Sequence, residues 1–168
     1  MRDHRAPCDH SDAARCRHII MKLTFTKGPG KYDRMQVQRD GGQVESIDCP
    51  KQRIIPHDMV HYVVESVLEK RGFLSRVRDG EAANFRMQPE AESDGVERLV
   101  EVFQGDAWSG SASTPADMID LYRVTCLARQ CPMLEVDAPT IEEVRLQMAS
   151  LTTEWNRLGV GESIQLQL

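Results

Sequence analysis

From Met21 onward apolar and polar residues alternate with period two. Leu23 and Phe25 stand between Lys22, Thr24 and Thr26, and Lys27-Gly-Pro-Gly30 ends the run as a turn. A first strand is expected here. Alternation resumes over residues 32–39 through Met35 and Val37, and Asp40-Gly41-Gly42 leads into a third alternating run at residues 43–47. An Asp-Gly pair between alternating segments supplies the positive φ angles of a tight hairpin, so the second and third strands should be antiparallel neighbours. At the other end, Ser163-Ile-Gln-Leu-Gln-Leu168 alternates cleanly and predicts a strand that completes the sheet.

Between these strands the period lengthens to three and four. Pro56 is expected at the first position of a helix that ends near Gly72, with Asp58 in its first turn and Met59, Val60, Val63, Val64 and Val67 on its buried face. Residues 72–80 read as a short amphipathic turn, and residues 84–89 carry no assignable pattern. Val96, Leu99, Val100 and Phe103 predict a helix over residues 90–104 that stops at Gly105, followed by a mobile loop over 106–113 around Trp108. Ser113 or Thr114 should cap the next helix, whose stripe is Met118, Ile119, Tyr122 and Cys126 and which Pro132 forbids from continuing. Thr140 and Glu143 have capping-box spacing ahead of Ile141, Val144, Met148, Leu151, Trp155 and Leu158. The fold expected is α+β: an antiparallel sheet of about four strands, three N-terminal and one C-terminal, packed against about four helices.

Composition narrows the setting. The 168 residues suffice for one domain with a genuine core, and residues 21–168 are expected to form it, with Met21 as its start and residues 1–20 as a disordered upstream extension. A formal net charge of −5 argues against a phosphate-binding surface, so nucleic acid is not an expected partner. No apolar run approaches the roughly 20 residues that cross a bilayer, so no membrane partner is expected either. Five cysteines with no CxxC pair, behind a stretch lacking a signal peptide's apolar core, point to a reducing, cytoplasmic setting. Cys8-Asp-His10 and Cys16-Arg-His18 are too tightly spaced for a zinc knuckle and stand in a run with little apolar content to fold around an ion.

The candidate chemistry lies on the Pro56 helix. His57 and His61 are four residues apart, the spacing that lets two imidazoles grip one metal such as zinc, and His57-Asp-Met-Val-His61 differs from the HExxH of zinc proteases only in Asp for Glu. Asp58 and Glu65 are the candidate proton carriers. Glu65 lies about 12 Å along the axis from His57, too far for both to share one mononuclear ion, so a third ligand must come from a later Asp or Glu, Cys126 or Cys131. The competing structural reading puts His57, His61 and Glu65 on the rim of the core, with both imidazoles bonded to backbone or to Glu65. Cys126 and Cys131 read as core thiols, and Ser109, Ser111 and Ser113 lack a nucleophile-elbow context.

The stretch Pro56-His-Asp-Met-Val-His-Tyr-Val-Val-Glu65, followed by Gly72-Phe-Leu, resembles a motif of small uncharacterised bacterial proteins. The resemblance implies a bacterial, cytosolic origin and supplies no activity. The expected function is a ligand- or partner-binding module without demonstrable catalysis, acting on a protein or small molecule and presenting a concave or an apolar exposed patch near Trp108. The alternative is a metal-dependent hydrolase with His57 and His61 as ligands. A monomer or weak homodimer is expected, since the stripe of the last helix serves a partner helix as well as a core.

Overall fold

In a computed structural model, which describes residues 19–168 apart from 85 and 87, the chain runs as three strands, five helices and a fourth strand. The strands are β1 (Met21–Thr26), β2 (Tyr32–Arg39), β3 (Val44–Pro50) and β4 (Ser163–Gln167), in the order β3-β2-β1-β4 with every pair antiparallel. Their register explains the alternation. Leu23 faces Val37 and Leu166 across the strands, Phe25 faces Met35 and Ile164, and Met35 faces Ile47, so the centre of one face of the sheet is apolar. The other face carries Lys22, Thr24, Gln36, Gln165 and their polar neighbours, as a half-solvated antiparallel sheet should. Asp40 and Gly41 both take positive φ in the β2–β3 hairpin, the geometry the Asp-Gly pair was expected to supply.

The helices α1 (His57–Leu68), α2 (Phe73–Arg78), α3 (Ala91–Trp108), α4 (Pro115–Arg129) and α5 (Ala138–Arg157) cover the apolar face. Met59, Val60, Val63 and Val64 of α1 are buried against the sheet, and α1 also packs on α2, α3 and α5. This is the expected α+β domain with a fifth, short helix where an amphipathic turn was read. Tyr122 ties three segments together: its hydroxyl donates to the Gly95 carbonyl at 2.9 Å and accepts the Leu134 N–H at 3.1 Å. A side chain at position 95 would meet the Pro132 carbonyl at 2.9 Å, so α3 needs a glycine where the chain after α4 crosses it.

Several boundaries differ from the sequence reading. Pro56 is the residue before the first helical position, and α1 ends at Leu68 because Glu69 takes a left-handed conformation, φ 51°. Helix α3 runs through Gly105 to Trp108, so residues 106–108 are helix and not loop. Asp106 holds this extension in place from inside the fold. It receives a two-pronged contact from Arg145 of α5, with Nε and Nη2 each at 3.0 Å, and a bond from the Ser113 N–H. The expected capping box at Thr140 is displaced by Asp137, which caps α5 and accepts from the Thr140 N–H at 2.9 Å. Thr114 caps α4 as expected. The Cys8–His10 and Cys16–His18 readings, and the extension ahead of residue 19, lie outside the described residues.

Candidate metal centre

Helix α1 sets the site by its period. His57, His61 and Glu65 are one turn apart along the same face, so their side chains stack in a column beside α3. The two imidazoles meet edge to face, with ring centroids 4.7 Å apart and planes at 78°. Glu97 of α3 completes the group: one carboxylate oxygen lies 2.9 Å from His61 Nε2 and the other 3.7 Å from His57 Nε2.

The column is graded from water to core. His57 keeps 39% of its side-chain surface exposed and Glu97 21%, whereas His61 keeps 1%. Glu65 is buried too, so the rim placement read from the helical wheel holds for His57 alone. The reason is the short helix α2, which closes over the column: the Phe73 ring lies 5.8 Å from that of His61, and the first turn of α2 docks on Glu65. Glu65 accepts the Leu74 N–H at 2.9 Å, the Ser75 N–H at 2.7 Å and the Ser75 hydroxyl at 2.6 Å. Helix α2 has no cap of its own, so Glu65 satisfies N–H groups that its first turn leaves free and places a carboxylate at the positive end of its dipole. Gly72 makes this possible. A Cβ there would fall 2.5 Å from the Glu65 carboxylate and 2.6 Å from Val96.

Glu65 also fixes His61, accepting from Nδ1 at 3.1 Å. With a carboxylate on each ring nitrogen, His61 is held as an imidazolium in the metal-free protein. Burial pulls the ring toward neutrality, but the hydrogen bonds to Glu65 and Glu97 outweigh it and carry the pKa up to about 10. Burial likewise works against the Glu97 carboxylate, and the bond from His61 overrides it and holds the pKa near 2.

The donor set fits a divalent transition metal. A ligand atom from each of His57, His61 and Glu97 lies within 4.8 Å of the other two, and among the described residues this is the one such group. A tetrahedral ion with bonds of about 2.0–2.2 Å separates its ligand atoms by about 3.4 Å; the two imidazoles approach different oxygens of Glu97, at 2.9 and 3.7 Å, so an ion between them would draw the three side chains onto one point. Glu65 on His61 Nδ1 is the outer carboxylate that metal-bound histidines commonly have, and it leaves Nε2 to face the ion.

The other sequence candidates fall elsewhere. Asp58 faces β3, where it accepts from the Cys49 thiol at 3.5 Å, and burial next to that carboxylate pushes the Cys49 thiol's pKa upward. Glu65 is in the column, with its oxygens taken by α2 and His61. Cys126 and Cys131 sit at the far end of α4. Trp108 is more than half exposed, and its indole N–H is bonded to the Gln52 carbonyl at 2.8 Å. Beside it lies a cavity of about 270 Å³ between α3 and α5, walled by Ile54, Phe103, Ala107 and Met148, with the Asp106–Arg145 pair at its edge.

Glu97 is the residue the sequence did not mark. It stands between Val96 and Arg98 in a helix that also carries Glu92, Asp94 and Glu101 and follows directly on Glu90. No spacing distinguishes it from them. No family model, curated protein or solved structure matches the chain. The class is therefore defined by its own fold and site: an α+β domain with a His-His-Glu cluster between two helices, in which no helix among the described residues is long and apolar enough to cross a membrane.

Proposed function

We propose that this protein is a ligand-binding α+β domain whose ligand is a divalent transition metal ion of the zinc class, held by His57, His61 and Glu97. The observation that carries the reading is the convergence of both imidazoles on one carboxylate while a second carboxylate holds the far nitrogen of the buried ring. Neutral imidazole suits zinc, copper, iron and nickel, and a single carboxylate adds the charge that a dication needs. Three protein ligands, with His57 open to solvent, leave a position for water or an external group.

That open position favours hydrolysis as the second reading, since a bound ion acidifies its water. Its proton carrier would have to come from outside the set Asp58 and Glu65, both of which are engaged elsewhere. A bacterial, cytoplasmic setting belongs to the same proposal and rests on the motif likeness of the Pro56 helix.

Equilibrium dialysis of the full chain against zinc tests the reading. One ion per chain is expected for the wild type, and none for His57→Ala or Glu97→Gln. Equal zinc uptake by the wild type and both variants would overturn it. The metal-loaded protein, offered ester and phosphoester substrates, then separates binding from hydrolysis.

A further inference from the structure

At the C-terminus of α4 two thiols are brought together by the way the helix ends. Gln130 takes the left-handed conformation, φ 53° and ψ 39°, and two bonds close behind it: the Gln130 N–H to the Leu127 carbonyl at 3.2 Å, and the Cys131 N–H to the Cys126 carbonyl at 3.1 Å. This pair of bonds is the Schellman ending, which folds the residue after the left-handed turn back over the residue five before it. That contact is usually apolar. Here the two residues that the ending brings together are Cys126 and Cys131, and each thiol lies close enough to bear on the other's proton. Cys126 is buried and Cys131 half-buried, so one member of the pair is reachable from water.

We propose that Cys126 and Cys131 form a modification site, a disulfide closed by a peroxide. The Cys131 thiolate attacks the peroxide; an S–O bond forms, the O–O bond breaks, and Cys131 becomes a sulfenic acid as the departing oxygen takes a proton and leaves as water or alcohol. The Cys126 sulfur then attacks the sulfenic sulfur, forming the S–S bond and breaking the S–O bond, and the hydroxyl leaves as water with the thiol proton. Two thiols and one peroxide give one disulfide and two hydroxylic products, and the two sulfurs supply the two electrons. The order of the steps follows from access. Burial and the neighbouring Cys131 thiol hold the proton on Cys126, pushed up to about 11, so the half-buried thiol reacts first.

The bridge would fasten the segment after α4 to the helix itself. This segment lies across α3 at Gly95 and is bonded to Tyr122 through the Leu134 N–H. The disulfide is thus a lock on the strap over α3.

The test is peroxide treatment of the full chain, alkylation of remaining thiols, and tryptic mapping. Cleavage after Arg123, Arg129 and Arg145 puts Cys126 and Cys131 on separate peptides, 124–129 and 130–145. The expected result is those two peptides linked, both alkylation signals lost together, and both restored by dithiothreitol. Cys126→Ser should leave a sulfenic acid on Cys131 that dimedone traps. Cys131→Ser should leave Cys126 alkylatable only after unfolding. The oxidised protein should also show slower hydrogen exchange at Leu134. Overoxidation of Cys131 with Cys126 still free, or pairing of either residue with another cysteine in place of the linked peptides, would overturn the proposal.

Discussion

Near its N-terminus α3 turns Glu97 toward two histidines of α1; further along it turns Asp106 toward Arg145 of α5. Both ends fasten α3 to a neighbour through a largely buried charge, yet they are chemically unlike. The guanidinium has no lone pair and keeps its proton at any ordinary pH, and Asp106 is further engaged by the Ser113 N–H while Arg145 donates to the Ser113 carbonyl. That end is a clamp. The histidine end is built from groups that can give up a proton and then offer a lone pair, and it opens to water at His57. Burial of a charge does not by itself mark a site; the capacity to exchange a proton for another cation does.

The clamp gives the largest expected effect. Arg145→Met leaves Asp106 buried without its counter-ion, which costs about 3–5 kcal/mol of stability by urea unfolding. Zinc uptake should be unchanged in whatever fraction stays folded. A loss below about 1 kcal/mol would show that the two ends do not differ in the way described.

The histidine end should reveal itself through pH. His61 has a folded pKa above its unfolded value, so its contribution is complete below about pH 6.5 and is lost as pH rises toward 10. Glu97 has a folded pKa below its unfolded value, so its contribution is complete above about 4.5 and is lost as pH falls toward 2. Stability from this seam therefore peaks between about pH 4.5 and 6.5. From about pH 7 to 8, where the unfolded imidazole is mostly neutral, metal-free protein should lose about 1.4 kcal/mol per pH unit. Saturating zinc, which replaces the proton on His61 Nε2, should abolish that slope; its persistence with zinc bound would place the metal elsewhere.

Gly72→Ala probes the seam from behind. The added methyl has no room between Glu65 and Val96, so the variant should lose about 1–3 kcal/mol and bind zinc about tenfold more weakly as Glu65 is pushed off His61. Titration calorimetry and unfolding measured together check both figures.

The sheet and the buried helix faces were legible because each follows a period that one apolar face imposes. The β1, β2 and β4 runs, the α1 face and the α5 stripe all reappear as core. The end of α3 was misread because glycine weakens a helix locally while Asp106, one residue on, holds it through Arg145, 39 positions away in the chain. The centre was legible by half for the same reason. The His57–His61 pair shows in the sequence because helical spacing is local, whereas Glu97 lies on another helix among several other carboxylates. The burial of His61 and Glu65 depends on α2 folding back over α1, which no periodicity in α1 records.

The smallest expected effect separates the two readings of the histidine end. His57 is part exposed, and among the described residues its one polar contact is a 3.7 Å approach to Glu97. Truncating it to alanine should therefore change metal-free stability by no more than about 0.5 kcal/mol. If the seam is only an ion pair between helices, His61, Glu65 and Glu97 carry it, and His57→Ala should behave as wild type with or without zinc. If it is a metal centre, His57 supplies one of three bonds. Zinc at a hundred times its dissociation constant stabilises the wild type by about 2.7 kcal/mol, and that gain should vanish in His57→Ala although the metal-free proteins are equally stable. Equal stabilisation of both would leave α3 fastened at each end by a clamp.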